Sequence, residues 1–344
     1  MRALSEMQVI QIDITNACHR SCSNCTRFCG HHKQPFFMDL PTFRRAVDSL
    51  VDFPGMVGIM GGEPLLHPEF PEMARYLRDT IRRKERRGLF TTLPPHRMKH
   101  AELIREVFGH MSLNDHASNR VLHQPVLVAS EEVVADPVER ERLIDNCWVQ
   151  LYWSASITPK GAFFCEVAAA MSQLFDGSPG WPVEPGWWRR GPADFTEQRK
   201  EYCGRCGCSV PLRRRPSTEE VDDVSPGNLA RLEQVGSPKV RRRKLQVYTG
   251  DLEDGWRPGV NWHMSMPDEH AYRQRVADRL GVDVHARNQF ANPNNSFAIL
   301  ERSAGQPGAD PAPHPPATSR DEQPRARVRS ARNAMARIVS RRRW

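Results

Sequence analysis

The sequence of 344 residues predicts an α/β fold built on parallel strands. In its first 150 residues, short apolar runs alternate with segments whose apolar side chains recur at helical spacing. Such alternation is typical of parallel strands joined by crossover helices. No apolar stretch approaches the roughly 20 residues that a membrane-spanning helix needs, so we expect a soluble chain long enough for a sheet domain and an accessory region.

The elements follow in order from the amino terminus. The apolar run 9–14 predicts the first strand, and 57–60 predicts a second, buried strand that runs into a glycine turn. Further strands are predicted at 89–93, 110–115 and 125–129, and helices at 41–53, 68–87, 99–108 and 137–146.

A cysteine-rich loop follows the first predicted strand. Cys18, Cys22 and Cys25 form a CxxxCxxC pattern on a polar segment. Three thiolates on one loop suit an iron-sulfur cluster that keeps one iron without a protein ligand. The alternatives are a zinc site, which normally uses paired CxxC knuckles and four ligands, and three structural cysteines that share a loop.

A glycine pair follows the second predicted strand. Gly61 and Gly62 allow a ligand to approach the backbone closely, and Glu63 can pair with a cationic group. In this order and at this distance, the two motifs resemble those of the radical S-adenosylmethionine (SAM) superfamily. The glycine motif alone would be weak, but the pair is specific.

The resemblance implies a partial (β/α)6 TIM-type barrel with its chemistry at the carboxyl ends of the strands. By the same resemblance, Cys18, Cys22 and Cys25 hold a [4Fe-4S] cluster whose fourth iron is chelated by SAM. The turn at 61–63 then receives the methionyl amino group of SAM. Ser112, Asn114 and Asp115 are candidates for its ribose hydroxyls, with turn capping as the alternative. The sequence departs from the family at Asn24, where an aromatic residue is usual.

A second cysteine set lies in the next part of the chain. Cys147 and Cys165 flank a predicted β-hairpin with its turn at 159–161, and Cys203 and Cys206 follow as a CxxC pair. We expect the hairpin to bring the first two cysteines together and the CxxC pair to complete a four-thiolate site. This pattern resembles the twitch domain, a shortened relative of the SPASM domain, and implies a second, auxiliary [4Fe-4S] cluster. A structural zinc ion in the same four thiolates is the alternative.

Several residues are left without an assigned role. Cys29 and Cys208 are spare thiols, inert by default, although either could donate a hydrogen atom and Cys208 could replace Cys206 as a ligand. We expect His31 and His32 to be solvated loop histidines, with a cluster or substrate contact as the alternative. For the tryptophans of the segment 176–194, we expect packing against the barrel and consider ligand stacking as the alternative.

Positive charge is concentrated at the carboxyl end. From Arg320 onward there are nine Arg against one Asp and one Glu, a net +7 of the formal +8 of the chain. We expect the basic tail to be disordered and solvated, with contact to an acidic partner or a membrane surface as the alternative, and without sequence-specific nucleic-acid binding. The predicted domains are the barrel at 1–146, the twitch-like region at 147–212, a small α/β appendage at 213–302, and a disordered Pro-rich linker and tail at 303–344. Within the appendage, we expect a helix at 268–280 and a strand at 297–300.

Taken together, the motifs predict a cytoplasmic radical SAM oxidoreductase. Cysteines clustered at metal-binding spacing favour a reducing compartment, and no secretion signal is visible. The resemblance implies an external electron donor such as flavodoxin or ferredoxin, and a small polar substrate of the sugar, aminocyclitol or nucleoside type from secondary metabolism. Two alternatives are maturation of a peptide substrate and a non-enzymatic scaffold that carries the clusters.

Overall fold

A computed structural model describes residues 1–114, 116, 121–152, 154–249 and 297–298 of the chain. Its centre is a seven-stranded sheet made of β1 (Val9–Thr15), β2 (Met56–Gly61), β3 (Arg87–Thr91), β4 (His110–Leu113), β6 (Ser154–Thr158), β7 (Gly161–Phe163) and β11 (Phe297–Ala298). The strands lie in the order β11-β4-β3-β2-β1-β6-β7, and β1, β2, β3, β4 and β6 are parallel to one another. Four short strands form two separate pairs: β5 (Leu122–His123) with β8 (Arg215–Pro216), and β9 (Asp222–Val224) with β10 (Leu245–Val247).

Helices fill the connections between these strands. Their bounds are α1 (Leu40–Asp48), α2 (Phe70–Thr80), α3 (Ala101–Val107), α4 (Ser130–Val133), α5 (Pro137–Asp145), α6 (Trp148–Tyr152), α7 (Glu166–Phe175), α8 (Thr196–Tyr202), α9 (Pro226–Gln234) and α10 (Pro238–Arg241). Within the described ranges, no helix is both long and apolar enough to cross a membrane.

The core lies between the sheet and its first helices. Ile10, Ile12 and Ile14 alternate along β1 and are completely buried, as are Phe43 of α1 and Phe70 of α2. Helix α1 begins where the Asp39 carboxylate accepts a hydrogen bond from the Thr42 amide, a standard N-cap. The apolar spacing seen in the sequence therefore marks the faces that pack against the sheet.

The predicted parallel sheet is confirmed, but one of its strands is not. Residues 125–129 were expected to form a strand, yet this segment makes a single β-bridge, between Leu127 and Val224, and joins no strand of the central sheet. Val126 to Ala129 are buried all the same, so the apolar run reflects burial under the 222–225 segment. Closure of the sheet into a partial barrel stays a prediction.

The predicted hairpin forms with a different first half. β6 and β7 pair antiparallel from Ser156 and Phe163 to Thr158 and Gly161, but residues 148–152 form helix α6 where a strand was expected. Because β6 also pairs in parallel with β1, the hairpin extends the central sheet. Nearby, Trp187 and Trp188 are buried in the core, and the Trp187 indole donates to Ser49 Oγ at 3.2 Å. Packing, not ligand stacking, accounts for these two rings.

The beginning of the predicted appendage is folded against the rest of the chain. Strand β9, helices α9 and α10 and strand β10 fall within 222–247. The helix predicted at 268–280 and the tail at 303–344 lie outside the described residues. A strand was also predicted at 297–300, and Phe297–Ala298 does pair antiparallel with β4. The boundaries of the four predicted domains stay predictions.

Candidate functional site

The CxxxCxxC loop leaves the carboxyl end of β1, the edge at which parallel-sheet enzymes place their chemistry. Cys18, Cys22 and Cys25 lie near enough to influence one another electrostatically. Burial raises the pKa of the Cys22 thiol, and the neighbouring thiols Cys25 and Cys18 raise it further. A hydrogen bond from Cys29 is the main reason that the pKa of Cys25 falls to about 5. The loop therefore gathers four thiols, one more than the motif predicts.

The glycine turn lies directly against the start of that loop. The Gly62 amide donates to the Thr15 carbonyl at 2.7 Å, and the Glu63 amide donates to the Ala17 carbonyl at 2.8 Å. A Cβ atom on Gly61 would stand 2.0 Å from the Thr15 oxygen, where φ is also +146°. Only glycine fits here, because the backbone of the neighbouring strand comes too close for a side chain. The two motifs, which are 36 residues apart in the sequence from Cys25 to Gly61, therefore meet at one edge of the sheet.

The Glu63 carboxylate is completely buried and fully engaged by this chain. It accepts hydrogen bonds from the Leu65 amide at 3.1 Å, from Thr91 Oγ1 at 2.6 Å, and from the Thr92 amide and Oγ1 at 2.8 and 2.5 Å. Burial raises the pKa of Glu63, and these hydrogen bonds oppose the rise. Glu63 therefore connects the end of β2 to the end of β3 through hydrogen bonds. Since a carboxylate has about four acceptor positions, a ligand amine could contact Glu63 directly only if one of the donors on Leu65, Thr91 or Thr92 moved away.

The proposed ribose contacts lie at the same edge. Ser112 is on β4, and its buried hydroxyl has no hydrogen-bond partner among the described residues. Asn114 follows the strand, and its amide donates to the Thr91 carbonyl at 2.8 Å. Asp115 lies outside the described residues. The position of both residues is compatible with the predicted role, which stays a prediction.

The second cysteine set also comes together. Cys147, Cys165, Cys203, Cys206 and Cys208 line one cavity, beside Phe164, Met171 and Tyr202. Burial raises the pKa of Cys147 to about 12 and raises those of Cys165 and Cys203. The pKa of Cys208 is raised first by its hydrogen bond with Cys206 and then by burial. The pKa of Cys206 is lowered, first by a hydrogen bond from Cys208. The cavity therefore presents the four predicted thiols and a fifth, Cys208, whose burial the CxxC pattern does not signal.

A buried polar group occupies one face of the sheet. Arg27 contacts Asp13 of β1 at 3.1 Å and Glu166, the first residue of α7, at 2.8 Å, and it also donates to Gln11. The Asp13 carboxylate accepts from Ser156 Oγ of β6 at 3.1 Å. All are buried, and burial raises the pKa of Asp13 against the opposing effect of Arg27. The network therefore places two carboxyl groups around one buried guanidinium.

Sequence reasoning missed this polar group. Gln11 and Asp13 were taken as part of an apolar run, although their alternation with Ile10, Ile12 and Ile14 is the signal of a two-faced strand. The expectation of solvated histidines is also wrong for His31, which is buried and lies 2.6 Å from Asp222. His32 is largely shielded too, and burial lowers its pKa to about 4. Both partners of His31, Asp222 and Ser237, lie about 200 residues away in the chain, beyond any local pattern.

The donor chemistry of both cysteine groups fits iron-sulfur clusters. In the described part of the chain, no group of three or more His, Cys, Asp or Glu side chains has the arrangement that would hold a single metal ion. Cluster thiolates each bind a different iron, so they need not converge on one point as the ligands of zinc do. Cys22, Cys165 and Cys208 are buried, the other thiols of the two groups are partly buried, and the thiols of each group lie close enough to influence one another.

Comparisons with known proteins give distant likenesses. Neither the protein-family models nor the curated proteins give a match. Among solved structures, the chain is similar to BtrN in complex with AdoMet and 2-DOIA, with 18% identity over 58% of this chain and 88% of that chain, at a TM-score of 0.37. It is also similar to selenomethionine BtrN in an open conformation, with 16% identity over 62% of this chain and 97% of that chain, at a TM-score of 0.35.

Proposed function

We propose that this protein is a radical SAM oxidoreductase that acts on a small polar metabolite. The observation that carries the proposal is the meeting of the Cys18, Cys22 and Cys25 loop with the Gly61–Gly62 turn at the carboxyl edge of a parallel sheet. Three thiolates would hold a [4Fe-4S] cluster there, and the backbone at the glycine turn would receive the methionyl end of SAM. When bound, this pair of groups supplies a carbon radical that removes a hydrogen atom from a C–H bond.

The residues of the chain divide the remaining work. Glu63 holds the ends of β2 and β3 together, which keeps the glycine turn in place. Gln11, Asp13, Arg27 and Glu166 form a buried network that holds the cysteine loop to β1 and α7. For the substrate we propose a small polar metabolite of the sugar, aminocyclitol or nucleoside type, the class that the sequence motifs imply.

The second cysteine group would hold an auxiliary [4Fe-4S] cluster with four protein ligands, Cys147, Cys165, Cys203 and Cys206. A cluster without an open iron position is suited to electron transfer, so we assign it the second electron of a substrate oxidation. An external donor of the flavodoxin or ferredoxin class would reduce the first cluster.

The test is cleavage of SAM after anaerobic reconstitution with iron and sulfide. Replacing Cys18, Cys22 and Cys25 with Ala is expected to abolish formation of 5'-deoxyadenosine, since no three-thiolate site remains. Cys29→Ala, which removes the spare thiol of the same loop, is the matched control and is expected to keep the product. Formation of 5'-deoxyadenosine by the triple variant would refute the proposal.

The auxiliary site is tested by iron and sulfide analysis with electron paramagnetic resonance. Cys203→Ala is expected to lose the auxiliary signal while the first cluster is retained. Cys208→Ala keeps the four proposed ligands and is expected to retain both signals. A protein that holds zinc in place of iron at these cysteines would contradict the assignment.

A further inference from the structure

Residues 217–240, near the carboxyl end of the described chain, form hydrogen bonds with the loop that carries Cys18, Cys22 and Cys25. The Ser23 amide donates to the Ser217 carbonyl at 2.9 Å, and the Val221 amide donates to Ser23 Oγ at 3.0 Å. These contacts bridge about 200 residues of sequence and fall between two of the three motif cysteines. We name the residues 217–240 the brace, because they contact the loop at several successive positions.

Asn24, the residue that stands where an aromatic side chain is usual, is the main attachment point. Its side-chain amide donates to Asp223 Oδ2 at 2.9 Å and accepts from the Asp223 amide at 2.9 Å, while its backbone amide donates to Asp222 Oδ1. Asn24 has a left-handed φ of +49°, a conformation that Asn tolerates far better than aromatic residues do. The departure from the family pattern therefore coincides with a side chain that joins strand β9 to the loop.

A buried lysine provides the second attachment. Lys239 is 1% exposed, and its Nζ lies 2.9 Å from the Cys22 carbonyl and 2.8 Å from Asp222 Oδ2. Lysine is almost never fully buried unless it is paired. Gly30 leaves the space, since a Cβ there would stand 2.5 Å from Lys239 Cε. Lys239 thus fixes the backbone of one motif cysteine from the far side of the loop.

Asp222 connects both attachments. Besides the Asn24 amide and Lys239, it contacts His31 Nε2 at 2.6 Å, and the other ring nitrogen of His31 lies 2.8 Å from Ser237 Oγ. This single carboxylate therefore bonds to residues on both sides of Cys25 and to the brace itself. A buried charge with three partners holds one geometry, because losing any partner leaves another polar group unsatisfied.

We propose that the brace is a positioning device for the first cluster, in which Asn24, Asp222 and Lys239 set the conformation of the Cys22–Cys25 segment. The inference rests on the proposed function, because it concerns the thiolates assigned there to the SAM-binding cluster. It gives residues 217–240, which carry none of the recognised motifs, a role at the site. A purely structural role would stabilise the whole domain evenly, whereas a positioning role acts on the loop selectively.

The experiment measures alkylation of each cysteine in the metal-free, reduced, full-length protein by N-ethylmaleimide, followed by mass spectrometry. In Asp222→Asn, Cys22 and Cys25 are expected to react at least about tenfold faster than in the unchanged protein, since removing one partner of a buried ion pair opens the local structure. Cys203 and Cys206 are expected to react at unchanged rates. Asp176→Asn makes the same atomic change at a surface aspartate that is 97% exposed and paired with Lys160, and it should leave all rates unchanged.

The reconstituted protein gives a second readout. Asp222→Asn is expected to alter the paramagnetic signal of the SAM-binding cluster and its response to SAM, and to leave the auxiliary signal unchanged. If all cysteines react faster in Asp222→Asn, the variant Lys239→Met distinguishes a local effect on the loop from general unfolding, because it removes Nζ and keeps the apolar part of the side chain. Selective reaction of Cys22 and Cys25 in Lys239→Met supports the brace, and uniform or unchanged rates overturn it.

Failure of the proposed function has a different result. An unchanged protein that binds no first cluster and leaves SAM intact would refute that function, while the alkylation rates would still report on the brace. Conversely, a protein that cleaves SAM normally but shows unchanged rates at Cys22 and Cys25 in both variants would reject the brace alone.

Discussion

At the scale of single residues, the site depends on positions where the backbone leaves no room for a side chain. Gly61 and Gly62 bring β2 to within hydrogen-bond distance of the residues before Cys18. A methyl group on either would collide with a carbonyl oxygen at 2.0 or 2.3 Å. These glycines were predicted from the sequence as a ligand cradle, and the structure adds that they also couple the two motifs.

We expect Gly61→Ala to lower the free energy of unfolding by about 2 kcal/mol or more, because the backbone strand or the loop must move and φ at this position is positive. Denaturant unfolding of the metal-free protein measures it. Gly191→Ala is the control, since its Cβ would meet no atom within 4 Å. Equal stability of the two variants would show that the turn can relax freely.

At the scale of elements, sequence patterns predicted the helices, whose formation depends mainly on residues close together in the chain. The helices at 40–48, 70–80, 101–107 and 137–145 follow apolar spacing and capping residues, although each is shorter than predicted because turns and 3₁₀ segments occupy its ends. The errors arose where distant contacts decide. The run at 125–129 is buried by residues 222–225 instead of by sheet neighbours, and His31 is buried by partners that the sequence places far away.

The thiol sites show the same division. Spacing alone identified seven cysteines in two groups, because metal-binding loops are compact in sequence. It could not place Cys29 and Cys208 beside them, since these contacts depend on how each loop turns. The link between Arg27 and Glu166 spans 139 residues and has no sequence signature.

The buried contacts of Arg27 predict a large loss in the free energy of unfolding when this residue is replaced. Arg27→Met is expected to destabilise the fold by about 3–5 kcal/mol, because it leaves Asp13 and Glu166 buried without their cation. Arg199→Met is the comparison: its partners Glu141 and Asp145 are about half exposed, and the loss should be below about 1 kcal/mol. Unfolding curves at pH 7 measure both. Similar losses would mean that the buried network does not stabilise the fold.

A buried histidine on strand β4 makes the stability of the fold depend on pH. His110 is buried, and burial lowers its pKa to about 4, below the usual value of 6.5. Above pH 6.5 both folded and unfolded chains hold it neutral, so stability does not depend on it. Between pH 6.5 and 4 only the unfolded chain takes up the proton, and stability should fall by up to about 3 kcal/mol. His110→Phe should flatten this part of the stability profile, and an unchanged slope would contradict the assignment.

At the scale of the whole molecule, charge and chemistry are separated along the chain. Residues 303–344 contain nine Arg and three acidic residues, so a chain ending at 302 has a formal charge of +2 where the full chain has +8. The two cysteine groups and the glycine turn described above all lie before residue 250. We expect the basic segment to affect where the protein is located and what it associates with, because net charge governs non-specific attraction to anionic surfaces.

Deletion of 303–344 is expected to leave SAM cleavage unchanged and to remove salt-sensitive binding to anionic lipid vesicles, since juxtaposed Arg residues contribute about 1 kcal/mol each near such a surface. Co-sedimentation at two salt concentrations measures the binding, and vesicles of neutral lipid are the control. Binding that survives the deletion would exclude the tail as a membrane contact.

The ion pair between Arg27 and Glu166 has a consequence for electronic coupling. Arg27 follows Cys25 by two residues, and Glu166 follows Cys165 directly, so a short run of covalent bonds and one charge-assisted contact connects the two thiol groups. Both side chains of this contact are buried. Under the proposed function, this route would give an electron a path of fixed length between the two clusters, and the auxiliary cluster would exchange it with a redox partner.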